Sequence, residues 1–145
     1  MTRADRVIAF IHRYLCVPEG RHVGKPMVLM EFQKDFIRAV YDNPHGTSRA
    51  YLSVGRKNGK SALIACLMLA HIVGPEAKLN TQIISGARSR DQASLVFKLA
   101  QKMIALSPEL RSKSVTRVTP SQKMILGVRM NVEYKAISAE AGTAH

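Results

Sequence analysis

The chain has 145 residues, 46% of them hydrophobic, which is enough for one compact domain with its own core. With 22 Lys and Arg against 10 Asp and Glu its net charge is +12, spread along the chain rather than gathered in a tail. That excess points to a polyanionic partner (nucleic acid, a nucleotide or an acidic membrane) over a solvated basic surface with no partner.

The chain begins with Thr2-x-x-Asp5, the pattern of a capping box. Val7, Ile8, Ile11, Tyr14 and Leu15 then recur at helical spacing, and Pro18-Glu19-Gly20 is expected to end that helix. A polar turn over 21–25 leads through Pro26 to a second helical stripe of Phe32, Phe36, Ile37, Val40 and Tyr41. Asn43-Pro44 and Gly46 break it. Residues 50–54, AYLSV, form a short β-rich run followed by a turn. A helix from Lys60 to about Val73 comes next, closed by Gly74-Pro75. Residues 81–85 read as a strand, and 90–106 as a long helix with Ala93, Val96, Phe97, Ala100, Ile104 and Leu106 on one stripe. After Ser107-Pro108 come extended pieces, SVTRVT, KMIL and RMNVEYKAIS. The alternation of strand, turn, helix, strand and helix, with a β-rich end, predicts an α/β sheet with crossover helices. No internal repeat or second domain is visible.

Cys16 and Cys66 both fall in apolar helical patterns, where a thiol packs as a small hydrophobe. No Cys/His ligand spacing accompanies them, which argues against a metal site built from these residues. MTRADRVIAF lacks the apolar core of a secretory signal. The longest apolar run, 62–73, is broken by His71 and is too short to cross a bilayer. A soluble cytosolic protein is the expectation.

The chemistry concentrates in Gly55-Arg56-Lys57-Asn58-Gly59-Lys60-Ser61. Gly-Lys-Ser is the ending of a phosphate-binding P-loop, whose full spacing is G-x-x-x-x-G-K-[ST]. Here Val54 stands at the first glycine position and Gly55 comes one residue late. Such a loop turns successive backbone N–H groups toward phosphate oxygens, and the next helix presents its positive end to them. Glycine serves where the backbone comes close to the anion, Lys reaches the β/γ phosphates, and the Ser hydroxyl ligates Mg²⁺. A strand before the loop and a helix after it is the context this motif needs. Arg56 and Lys57 add two cations within the loop. Arg56 is assigned a role toward charge on the γ-phosphate; Lys57 either shares in that field or faces solvent.

Several stretches in order resemble the large terminase subunits of tailed double-stranded DNA phages, the ATP-driven motors that move DNA into a procapsid. SVGRKNGKS resembles the family's variant Walker A, in which S/G-R-[KQ]-x-G-K-[ST] replaces the early glycine. MEFQKDFIRAVYDNP is similar to its upstream segment, whose glutamine contacts adenine. TQIISGARSRDQASLVF resembles the strand and helix after the P-loop, and YKAISAEAGTAH the approach to the acidic Walker B strand. The resemblance implies a P-loop NTPase of RecA-like or ASCE type, a parallel central sheet flanked by helices. It implies a helical lead-in over 1–46 carrying the adenine-side segment, and a P-loop α/β core over 47–145.

Carried over by position, Lys60 contacts the β/γ phosphates of ATP and Ser61 helps hold Mg²⁺. Gly55, Asn58 and Gly59 belong to the cradle, Arg56 acts on the γ-phosphate, and Gln33 reads the adenine edge. The alternative for Gln33 is an exposed helix residue, and Phe32 and Phe36 are expected in the core. The implied partners are double-stranded DNA, a portal protein, a small terminase subunit and further copies in a ring, in the host cytoplasm and without membrane contact. Asp91 and Glu133 do not fit the Walker B aspartate and catalytic glutamate, and no apolar strand ends in Asp-Glu. The chain therefore reads as the part of the domain before Walker B, without the nuclease domain, and is expected to hydrolyse ATP poorly or not at all alone. A helicase-type P-loop ATPase and a non-enzymatic basic DNA-binding module are the competing readings.

Overall fold

The structure, a computed structural model, describes residues 1–46, 60–87 and 90–138. The strand expected at 50–54 and the loop at 55–59 lie outside these residues, as do 139–145.

Helix α1, Arg3–Tyr14, starts at the capping box that its sequence announces. The Thr2 hydroxyl accepts from the Asp5 N–H at 3.1 Å, and the Asp5 carboxylate accepts from the Thr2 N–H at 3.2 Å. Asp42 adds a second cap from a distance, its carboxylate accepting from the Ala4 N–H at 3.0 Å. The helix ends well before Pro18: Leu15 is already extended and buried. The chain then doubles back through Gly20 and Gly24, both at positive φ, and Cys16 bridges Pro26. Cys16 therefore sits in an extended segment rather than in the helix. Backbone bonds from Val17 N to Lys25 O at 2.8 Å and from Met27 N to Leu15 O at 3.0 Å hold this pinch and satisfy groups the helix leaves open.

Helix α2, Glu31–Tyr41, buries Gln33, Ile37 and Tyr41, one residue every four. This is a rotation from the expected stripe. Phe32 is 37% exposed and is not a core residue, while Phe36 and Val40 are half-buried at the edge of the core.

Helix α3, Lys60–Ile72, is apolar around its whole circumference and buries Leu63, Ala65, Cys66, Leu69, Ala70 and Ile72. It lies in the middle of the molecule, with α1 on one side. Helix α4, Arg90–Leu106, packs on α3 through a core that includes Phe97, Ala100, Met103 and Ile104.

The strands are β1, Gln82–Ala87; β2, Thr116–Thr119; β3, Met124–Gly127; and β4, Val132–Ser138. They form one sheet in the order β1-β4-β3-β2. β1 and β4 are parallel, joined by a connection that contains α4, and the other two pairings are antiparallel. The described sheet is thus mixed, where the resemblance implied a parallel one. The cause is local: β2, β3 and β4 follow one another through short turns, which can only reverse direction. Along β4, Val132, Tyr134 and Ala136 point to the helices and are buried. The Tyr134 hydroxyl meets Ser85 Oγ at 2.7 Å across the parallel pair. On the opposite face Ile84 is 54% and Ile137 45% exposed.

The end of α3 presses on β3 with no room to spare. A Cβ at Gly127 would lie 2.2 Å from the Ile72 carbonyl oxygen. Gly127→Ala is therefore expected to destabilise the fold by about 1–3 kcal/mol, because backbone must move to admit the methyl group. A lower urea midpoint with an unchanged slope would report it.

Candidate functional site

Lys60 is the first residue of α3 and its side chain is exposed; Ser61 follows it and is half-buried. The first turn of α3 contains no acidic residue, and Lys60 has no carboxylate partner among the described residues. The positive end of the helix dipole and the ammonium therefore add at one point without internal compensation. That arrangement suits an anion. Gly55, Arg56, Lys57, Asn58 and Gly59 belong to the segment outside the described residues.

Gln33 is not the exposed helix residue considered above: it is only 8% exposed. Its Oε1 accepts from the Met30 N–H at 2.8 Å, which ties the carboxamide to the start of its own helix. Next to this, His12 of α1 accepts the Leu29 N–H on Nε2 at 3.3 Å. Two successive amides of the segment leading into α2 are thus held by side chains from two helices. Burial, with Lys34 nearby, pushes the His12 pKa down and keeps the ring neutral, as an acceptor must be. Neither His12 nor its target was legible in the sequence, where it is one more polar residue in α1. Met30 and Val28, in the same segment, are strongly exposed.

The far ends of α2 and α3 meet in a polar cluster. The Tyr41 hydroxyl lies 2.8 Å from His71 Nε2, and Arg3 makes a two-pronged bond to Glu76 at 2.6 and 3.2 Å. Arg3 also stands over the Tyr41 ring, 5.6 Å from its centroid. The hydrogen bond from Arg3 holds the Glu76 carboxyl below its ordinary range. Burial lowers the His71 pKa, opposed by Glu76, and burial raises that of Tyr41 to about 12. The one sequence signal for this cluster is that His71 interrupts an otherwise apolar helix. Glu133, near the start of β4, accepts from Gln82 Nε2 at 3.3 Å, and Asp91 lies in α4, so neither ends a strand.

The fold is a mixed α/β sheet with helices, and residues 31–143 match the family model described as terminase large subunit, ATPase domain. The chain belongs to that family. The large terminase subunit of Enterobacteria phage HK97 is 60% identical over 145 residues, covering 100% of this chain and 28% of that protein. The crystal structure of the HK97 bacteriophage large terminase superposes with a TM-score of 0.90 at 59% identity, covering 100% of this chain and 29% of that one. The chain thus spans 28% of the length of this relative. Among the described residues no helix is long and apolar enough to cross a membrane.

Glu76 and His71 both have folded-state pKa values below their unfolded ones, so each contributes stability at neutral pH that is lost as pH falls. For Glu76 that contribution is complete above the ordinary glutamate range and fades as pH drops through the lowered value. Glu76→Gln removes this component. The variant is expected to lose less stability than the parent as pH falls below about 4.5, the ordinary glutamate value, in urea titrations.

Proposed function

We propose that this chain is the ATP-binding portion of a phage DNA-packaging motor. The observation that carries the reading is the start of α3, where Lys60 and Ser61 open a buried helix whose first turn has no acid. It is supported by membership of the terminase ATPase-domain family and by a Gln33 fixed in place upstream. The parts divide into a lead-in over 1–46 and a P-loop core over 47–145, of RecA-like type.

In this reading Lys60 binds the β/γ phosphates of ATP, and the Ser61 hydroxyl holds Mg²⁺, which neutralises charge on the phosphates when bound. Gly55, Asn58 and Gly59 supply backbone N–H groups, and Arg56 supplies a guanidinium toward the γ-phosphate. Lys57 either adds to that field or faces solvent. Gln33 Oε1 is already engaged by Met30, which orients Nε2 as a donor to the adenine ring. The net charge of +12 matches a duplex DNA partner held through its phosphates. In the intact motor the partners are a portal protein, a small subunit and further copies of the chain in a ring, in the host cytoplasm. Hydrolysis needs a positioned base and a firmly held metal. Because no described strand ends in an acidic pair, these residues alone bind ATP without turning it over appreciably.

Lys60→Ala is expected to weaken ATP binding by at least about 10-fold, since it removes a charge-assisted contact, while salt-dependent DNA binding changes little. Calorimetric titration with Mg·ATP checks this, and unchanged affinity would rule out the cradle. Gln33→Glu keeps the oxygen that caps Met30 but loses the amide donor. It should erode preference for ATP over GTP while leaving the unfolding midpoint near that of the parent. A nucleotide preference unmoved by this change would remove Gln33 from the site.

A further inference from the structure

The two helices assigned to the nucleotide are joined at the ends remote from it. Tyr41 is the last residue of α2, and His71 lies in the last turn of α3. Their side chains meet at 2.8 Å, with ring centroids 5.8 Å apart. Gln33 stands two turns of helix back from Tyr41, about 12 Å, and Lys60 three turns back from His71, about 16 Å. Helix α1 packs against both, whereas α2 and α3 share no comparably extensive face. The pair is a direct polar tie between them. Beside it lies a cavity of about 380 Å³ whose lining is mostly polar, including Arg3, Tyr41, His71 and Glu76, with Val40 and Ile83 as its apolar members. Among the described residues the Tyr41 to His71 contact is the hydrogen bond that joins α2 to α3 across the edge of that space.

A ligand that engages two sites at once gains most affinity when their separation is held at the distance the ligand spans. We infer that Tyr41 and His71 are positioning residues for the nucleotide, pinning α2 to α3 so that one molecule meets Gln33 and Lys60 together. Neither touches the nucleotide. The inference rests on the proposed ATP site. It extends that reading by naming what sets the distance between its two halves. Arg3, held by Glu76 and laid over the Tyr41 ring, keeps the pin closed from the α1 side.

The pin acts on ligands that span both helices and spares those that use one. Calorimetric titration of the 145-residue chain with Mg·ATP and with inorganic tripolyphosphate separates the two cases. Tyr41→Phe is expected to weaken ATP binding by about 10-fold, the loss of one net hydrogen bond, and to leave tripolyphosphate within about 2-fold. His71→Leu should behave like Tyr41→Phe. His71→Gln, which offers both a donor and an acceptor at similar reach, should restore ATP binding. Should Tyr41→Phe fail to fold, the contrast between the two His71 variants carries the same test. ATP affinity unchanged in Tyr41→Phe and His71→Leu would overturn the inference. So would an equal loss of ATP and tripolyphosphate, which marks a merely structural role. Tripolyphosphate binding that survives Lys60→Ala would sink the phosphate site itself, and this inference with it.

Discussion

Helix α3 is hydrophobic around its whole circumference, and the other elements are arranged to cover it. Burial of its Leu63, Cys66, Leu69 and Ile72 supplies a driving force that no amphipathic surface helix could. Covering it takes α1 on one side, α4 on another, and the sheet beneath, which comes so close at Gly127 that no side chain fits there. Along its length the helix keeps only a half-buried stripe of Ile64, Leu67 and Met68. One end holds Lys60 and Ser61, the other His71, and both carry polar chemistry. The proposed phosphate site at Lys60 and Ser61 would therefore take its rigidity from the core.

The same logic explains the lead-in. Helix α2 has little of its own to hold it against α3, so it is fastened through α1 and by polar groups. Asp42 caps α1, His12 and Gln33 grip adjacent amides at one end of α2, and Tyr41 meets His71 at the other. These directional bonds fix its angle, while Ile37 anchors it in the core. Such bonds are worth little net each, yet leaving one partner buried and unmet costs more. Helix α2 is thus held by directional bonds as well as by the burial of Ile37 and Tyr41.

What the sequence revealed follows the range of the forces involved. The Thr2 and Asp5 capping box is complete within four residues, and the structure has it as read. The strands in the β-rich end alternate clearly, and β1 to β4 fall within a few residues of expectation. Along α2 Ile37 and Tyr41 are buried as expected and Phe36 and Val40 pack at the core's edge, but Phe32 was misplaced: the cap that Gln33 provides turns that residue inward and leaves Phe32 at the surface. Cys16 looked helical because the apolar pattern continues past Tyr14; backbone pairing with Pro26 ends the helix instead. The contact between Tyr41 and His71 joins residues 30 apart in the chain, and no local pattern announces it. The family was legible from ordered motifs, since a loop such as GRKNGKS upstream of the right strand and helix is rare by chance.

The central claim is that one nucleotide spans the start of α2 and the start of α3. Amide NMR of the chain titrated with Mg·ADP addresses it most directly. The account predicts that the Gln33 side-chain amide and the backbone amides of Lys60 and Ser61 shift together and saturate with one dissociation constant. Shifts confined to Lys60 and Ser61, with Gln33 silent at saturation, would contradict it.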